Sequence, residues 1–285
     1  MTIVFAKTRW HYDSYIDFWR LVELSGYETC YVDEMDIHDK SKTYIVSPMN
    51  GEFAPFIQNR LLKGARQSGL FLWNLERPSG SSGLGRYRSD NQEMVDKGWL
   101  DAILVSDMQL ARDAGFKYLP LGSHESLGVP GIFADKLYAI IHLSCYSNNR
   151  SWLFDRPDKP KDRIGDVIIA PNGWGDERHR HLQLSRFMLS VHQDGMPYIE
   201  PLRFSLAAAY ALPIIGEASL DTFPYRTGSD IYMYPYQAAR SMLTFTTFVR
   251  SLADYQDTLW NSNGHGLRDR MTVEFSFRSC IRKYL

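Results

Sequence analysis

MLSVHQDGMPYIEPLRFSLAAAYALPIIGE, residues 188–217, decides the fold. Met188 to His192 is a short apolar run of strand formers, and His192, Gln193, Asp194 and Gly195 read as a loop. Glu200 precedes Pro201. Proline suits the first helical position, because its φ is already helical and its missing N–H would have no partner there. Glu200 is then the N-cap, and Arg203 falls in the first turn. Leu202, Leu206, Ala209 and Tyr210 recur at helical spacing. Ala207, Ala208, Ala209 and Ala211 allow close approach to a sheet. Pro213 stops the helix, and Ile214-Ile215 opens the next strand.

A strand, a polar loop, a helix N-terminus and a second strand suit an anion. The first amides of a helix lack internal partners, and the helix dipole favours negative charge beside them. Arg203 adds a rigid guanidinium fork, and Glu200 supplies an acceptor for sugar hydroxyls. The same spacing also fits an ordinary buried αβ crossover with a surface ion pair, and pattern alone does not separate the two.

Outward from this stretch, the cycle repeats. Towards the N-terminus, apolar runs at Thr2–Ala6, Thr29–Val32, Thr43–Val46, Leu70–Leu75, Ile103–Val105 and Tyr118–Leu121 read as strands. Helical patterns fall at Tyr15–Leu24, Phe53–Gln67 and Met108–Ala114. Ser123 to Asp135 reads as a linker. Beyond it, strands are expected at Leu137–Leu143, Asp166–Ala170 and Asp230–Tyr234. Helices are expected at Arg178–Phe187, Tyr236–Leu252 and Leu267–Tyr284. Alternation of this kind predicts parallel, doubly wound sheets. The glycine- and serine-rich SGSSGLG, residues 79–85, reads with its flank to Asp90 as a flexible lid. It is not expected to be a dinucleotide fingerprint, for want of a strand-to-helix context.

Composition narrows the classes. The 285 residues carry a net charge of −1, which argues against a uniformly basic nucleic-acid binder. The three cysteines, Cys30, Cys145 and Cys280, are far apart, against a disulfide framework and for a reducing, cytoplasmic setting. No run reaches membrane-spanning length, and no protein partner is evident. No paired aspartates of the DxD type stand at a strand end with an obvious metal role.

The order HQD…EPLRFSLAAAYALPI…FPY resembles the second domain of GT-B glycosyltransferases, and is most similar to the small CgeB-type and phage group. VSDMQLARDAGFKYLPLG, residues 105–122, resembles the end of a GT-B first domain. The resemblance implies two Rossmann-like domains facing a central cleft, with a C-terminal helix crossing back, and no metal as an obligate cofactor. The expected boundaries are 1–128 for an acceptor domain, 129–260 for a nucleotide-sugar domain and 261–285 for the returning helix. Many relatives carry an acidic residue three positions after the arginine, where this chain has Leu206; Glu200 stands in for it.

Ligands of doubly wound sheets sit beyond the carboxyl ends of the strands. Those loops offer Arg150, Asn172, Gly173, Trp174, Arg178, His192, Glu200 and Arg203 for the donor. Arginines there would meet the growing charge of a nucleoside diphosphate leaving group. Arg178 matches an arginine that relatives place after the glycine loop. Trp174 either stacks on the base or packs, and His192 is a catalytic or a structural histidine. The first half offers Glu76 as general base, with His11 and Asp13 as rivals. Lys7, Arg9, Trp10, Arg86 and Arg88 are available to hold the acceptor. The expected reaction is sugar transfer from a nucleotide sugar, UDP-glucose or similar, to a hydroxyl. Hydroxymethylated pyrimidines of double-stranded phage DNA are one acceptor; a cell-envelope or spore-coat glycan is the alternative, as is an epimerase of the same plan.

Overall fold

The computed structural model describes residues 1–9, 15–47, 66–75, 78, 83–132, 138–142, 167–169, 176–192, 197–234 and 259–285. Within them lie two sheets, and every strand pair in both is parallel. The first contains β1 (Thr2–Lys7), β2 (Glu28–Tyr31), β3 (Lys42–Val46), β4 (Gly69–Asn74), β5 (Ala102–Val105) and β6 (Lys117–Tyr118), in the order β2-β1-β3-β4-β5-β6. The second contains β7 (Tyr138–His142), β8 (Val167–Ile169), β9 (Ser185–Ser190), β10 (Ile214–Glu217) and β11 (Ile231–Tyr234), in the order β11-β10-β9-β7-β8. β5, AILV, is buried along its whole length, as a strand covered on both faces must be.

Helices lie between strands among the described residues. In the first half they are α1 (Ile16–Leu24), α2 (Gly83–Asp96) and α3 (Met108–Ala114). In the second they are α4 (Asp176–Gln183) and α5 (Pro201–Ala209), followed by α6 (His265–Asp269) and α7 (Phe277–Tyr284). α3 shows why its limits were readable. The Asp107 side chain accepts the Leu110 amide at its start, and Gly115 closes it at φ 74°, where a side chain would be strained.

Three expectations need correction. Residues 83–90 are not part of a flexible lid but the first turns of α2, so the last three residues of SGSSGLG open a helix, while residues 79–82 lie outside the described residues. Tyr87, Asn91 and Met94 fix that helix: their four- and three-residue spacing puts them on one buried face. The expected helix Arg178–Phe187 ends at Gln183, and β9 begins at Ser185. The closing helix is broken at Phe275, and Ser276 caps a fresh start by accepting the Ser279 amide at 3.3 Å. The expected helices Phe53–Gln67 and Tyr236–Leu252 lie outside the described residues, except that Arg66 and Gln67 are not helical.

α7 returns to the first sheet. Phe277, wholly buried, stacks on Trp73 at 5.6 Å and meets Phe5 and Phe18 at 5.6 and 6.2 Å. The same apolar cluster runs on through Phe204, Leu206, Ile214 and Ile231, so a single core spans both halves. Where the chain passes between them, Gly122 lies against the returning segment. A Cβ there would sit 2.0 Å from the Phe275 carbonyl oxygen, so only glycine fits.

Candidate functional site

In the second sheet β7 lies between β8 and β9, so successive connections leave it in opposite directions. Ligands of doubly wound sheets bind beyond the carboxyl ends of the strands that flank such a switch point, which here are β7 and β9. The chain leaving β9 passes through Val191 and His192, both buried. The His192 amide donates to Glu217 Oε2 at 2.6 Å, at the end of the neighbouring β10. Glu217 is itself buried and ties the start of this loop to the next strand.

The loop then meets the first half. The Tyr198 hydroxyl donates to Asp113 Oδ2 at 2.9 Å, and the Ile199 amide donates to Asp107 Oδ2 at 2.7 Å. Glu200 follows as the N-cap of α5, in extended backbone, and its side chain makes no capping hydrogen bond. It pairs instead with Arg203 in the first turn, and both side chains are only 13% exposed. One turn on, the Ser205 hydroxyl donates to the Gly122 carbonyl at 2.7 Å and the Ser123 hydroxyl donates to the Ser205 carbonyl at 3.0 Å. The helix N-terminus is thus fixed on the seam between the halves, beside one guanidinium and one carboxylate.

Arg178 has a different setting. Its Nη1 lies 2.7 Å from Asp17 Oδ2 of α1, and both side chains are buried. His179 Nε2 is 2.9 Å from the other oxygen of Asp17, and His179 Nδ1 meets the Tyr210 hydroxyl. Burial pushes the Asp17 carboxyl up, but the His179 hydrogen bond and the Arg178 charge outweigh it and hold it below the usual carboxylate range. The described contacts therefore do not bring Arg178 and Arg203 together. One faces a carboxylate of the first half, the other its own helix N-cap.

On the first half, Lys7 Nζ lies 5.2 Å from the centre of the Tyr31 ring and 5.8 Å from that of Trp19. Arg9 lies over Tyr31 at 4.1 Å and pairs with Asp33 at 3.1 Å and Glu34 at 3.6 Å. Arg86 and Arg88 are exposed on α2, and Arg86 lies 3.4 Å from Asp90. Trp10, His11, Asp13, Glu76, Arg150, Asn172, Gly173 and Trp174 lie outside the described residues. Among the described residues, no group of three or more His, Cys, Asp or Glu is placed to hold a metal ion, and no helix is long and apolar enough to cross a membrane.

The sequence reading did not single out Glu217 or Asp17. A carboxylate ending an apolar strand (Glu217) or opening an apolar helix (Asp17) is the signal that was there to read.

Two parallel doubly wound sheets, a seam carrying a helix N-terminus, and a terminal helix crossing back define the GT-B fold. No family model matches the sequence, and no curated protein matches it. Solved structures do match in three dimensions. The Anabaena protein Alr3699/HepE in complex with UDP superposes with a TM-score of 0.62 at 9% identity, covering 99% of each chain. Its complex with UDP-glucose gives 0.61 at 10% identity, covering 99% of this chain and 98% of that one. Sucrose-phosphate synthase (tll1590) from Thermosynechococcus elongatus gives 0.60 at 10% identity, covering 99% of this chain and 97% of that one. None of these matches selects the CgeB-type or phage group within the fold.

Proposed function

We propose that this protein is a glycosyltransferase that takes its sugar from a nucleoside diphosphate sugar of the UDP type. One observation carries the reading. The N-terminus of α5, with Arg203 in its first turn, follows the strand that borders the switch point of the second sheet. Similarity along the whole chain to a fold seen with UDP and UDP-glucose supports the same placement.

When the sugar–phosphate bond breaks, negative charge grows on the departing diphosphate. The α5 amides and the Arg203 guanidinium would meet that charge without moving, which lowers the barrier rather than merely binding the donor. Glu200 holds Arg203 in place and is the carboxylate assigned to the ribose hydroxyls of the donor. His192 and Glu217 fix the loop above them. Glu76, two residues beyond β4, is the base assigned to the acceptor hydroxyl. Arg150, Asn172, Gly173 and Trp174 complete the donor side in this proposal. Arg178 acts there through its bond to Asp17, as a brace between the halves.

For the acceptor, the described side chains favour a neutral, sugar-like hydroxyl compound over DNA. Arg9 faces Asp33 and Glu34, and Arg86 faces Asp90. Carboxylates beside these exposed arginines reduce what each contributes to holding a phosphate backbone.

Calorimetric titration with UDP tests the donor site. Wild type binds, and Arg203→Ala weakens binding about tenfold or more, the effect of one charge-assisted hydrogen bond. Absence of UDP binding by the wild type, or equal affinity in the variant, would overturn the assignment.

A further inference from the structure

We propose that Asp107, a residue of the first half, is a positioning residue for the donor site of the second half. The inference rests on the donor-site reading above for its functional meaning, though not for its geometry.

Asp107 ends the connection from β5 to α3 and is 2% exposed. Its two oxygens are divided between the halves. Oδ1 accepts the Leu110 amide at 2.7 Å, which caps α3 of the first half. Oδ2 accepts the Ile199 amide at 2.7 Å, in the second half. Ile199 is the residue before the N-cap of α5, so one carboxylate sets the α3 start and the α5 approach relative to each other. The neighbouring bond from Tyr198 to Asp113 ties the same turn to the far end of α3. A shift of the turn by one ångström would move the α5 amides off a diphosphate, and positioning errors of that size lower rates steeply.

The surroundings make this joint sensitive to protons. Burial pushes the Asp107 carboxyl up to about 6, against the pull of the backbone amides of Leu110, Ile199 and Gln109. The charged groups that face it are Asp221, which Arg112 pairs at 2.9 Å, and Asp113 beyond Tyr198. Tyr118 and Tyr198 lie alongside, and both phenols are held protonated by burial. The sign follows from linkage. A carboxyl whose value is raised in the closed joint binds its proton more tightly there than when released to water. The closed joint is therefore favoured at acidic pH, and opening becomes easier as pH rises from about 4 to 6.

Amide hydrogen exchange of the unliganded protein, resolved at Ile199 and at Leu110, tests the joint directly. After correction for intrinsic exchange, wild-type protection at Ile199 falls at least tenfold between pH 4.5 and 7 on this sign. Asp107→Asn removes that pH dependence while keeping an acceptor and an N-cap side chain. Asp107→Ala lowers Ile199 protection at every pH and weakens UDP at pH 7.5 at least tenfold, and Asp107→Asn recovers part of that affinity. A purely structural role would lower melting temperature without a pH profile at Ile199 or recovery by asparagine. Protection at Ile199 that ignores pH in the wild type, or is unchanged in both variants, overturns the proposal. Should Asp107→Ala not fold, the wild-type pH series and Asp107→Asn decide it alone. Loss of the joint signal with intact UDP binding sinks the positioning role only; a joint signal without any UDP binding sinks the donor reading.

Discussion

Replacing Asp17 by asparagine removes one charge from a buried network that joins the halves. The guanidinium of Arg178, its side chain 8% exposed, would then face a neutral amide, 2.7 Å from where the carboxylate oxygen stood. Breaking a buried pair from one side costs about 3–5 kcal/mol, because the remaining charge stays out of water without its partner. The amide still offers one acceptor oxygen to His179 or Arg178, so the lower end, about 3 kcal/mol, is expected. Against a total stability of about 5–15 kcal/mol that is a large fraction, and for a chain of this length it corresponds to a fall in Tm of about 5 °C. Urea unfolding at pH 7.5, followed by far-ultraviolet circular dichroism, measures it.

The pH dependence has a fixed direction. The Asp17 carboxyl is held below its unfolded value, so its contribution is present above about pH 4 and is lost as pH falls through the lower folded value. The gap between wild type and Asp17→Asn must therefore close in acid. Arg178→Met supplies the second arm of a cycle. The double variant should lose less than the sum of the singles by about 1 kcal/mol or more, since neither charge is then left alone. A single Asp17→Asn variant within about 0.5 kcal/mol of wild type at pH 7.5 would refute the reasoning.

Other predictions concern the returning helix and the reaction. Phe277→Ala empties a wholly buried site against Trp73, and should cost about 3–5 kcal/mol in urea unfolding. Gly122→Ala puts a methyl 2.0 Å from the Phe275 carbonyl oxygen, and should destabilise by about 2 kcal/mol or more in thermal melts. Glu76→Gln should slow sugar transfer about a hundredfold or more while leaving UDP affinity unaltered; unchanged turnover, measured by release of UDP, would remove Glu76 as the base.

Much of the fold was legible because strands buried on both faces leave near-continuous apolar runs, as in AILV and GLFLWN. α3 and the start of α5 were legible because local chemistry marks them: Asp107 and Gly115 bound one, and Pro201 opens the other. α2 was missed because Gly83 and Gly85 open it, both poor helix formers, and only three spaced side chains, Tyr87, Asn91 and Met94, are buried. The strand start at Ser185 was missed because Ser185 and Arg186 look polar, although Ser185 is fully buried and its hydroxyl donates to the His181 carbonyl. The site was legible only in part. His192, Glu200 and Arg203 are neighbours along the chain, so their grouping shows in the sequence. Asp17 with Arg178, and Asp107 with Ile199, are pairs across the two halves, 161 and 92 positions apart, and no local pattern records them.

The position of Phe277 sets an order on synthesis. The sheet of residues 2–118 leaves the ribosome first, yet the ring that fills the space between Phe5, Phe18 and Trp73 emerges some 160 residues later. Until then the nascent lobe carries an open aromatic socket, a surface that chaperones bind and that aggregation exploits. Packing of the first sheet is thus completed by residues translated long after it.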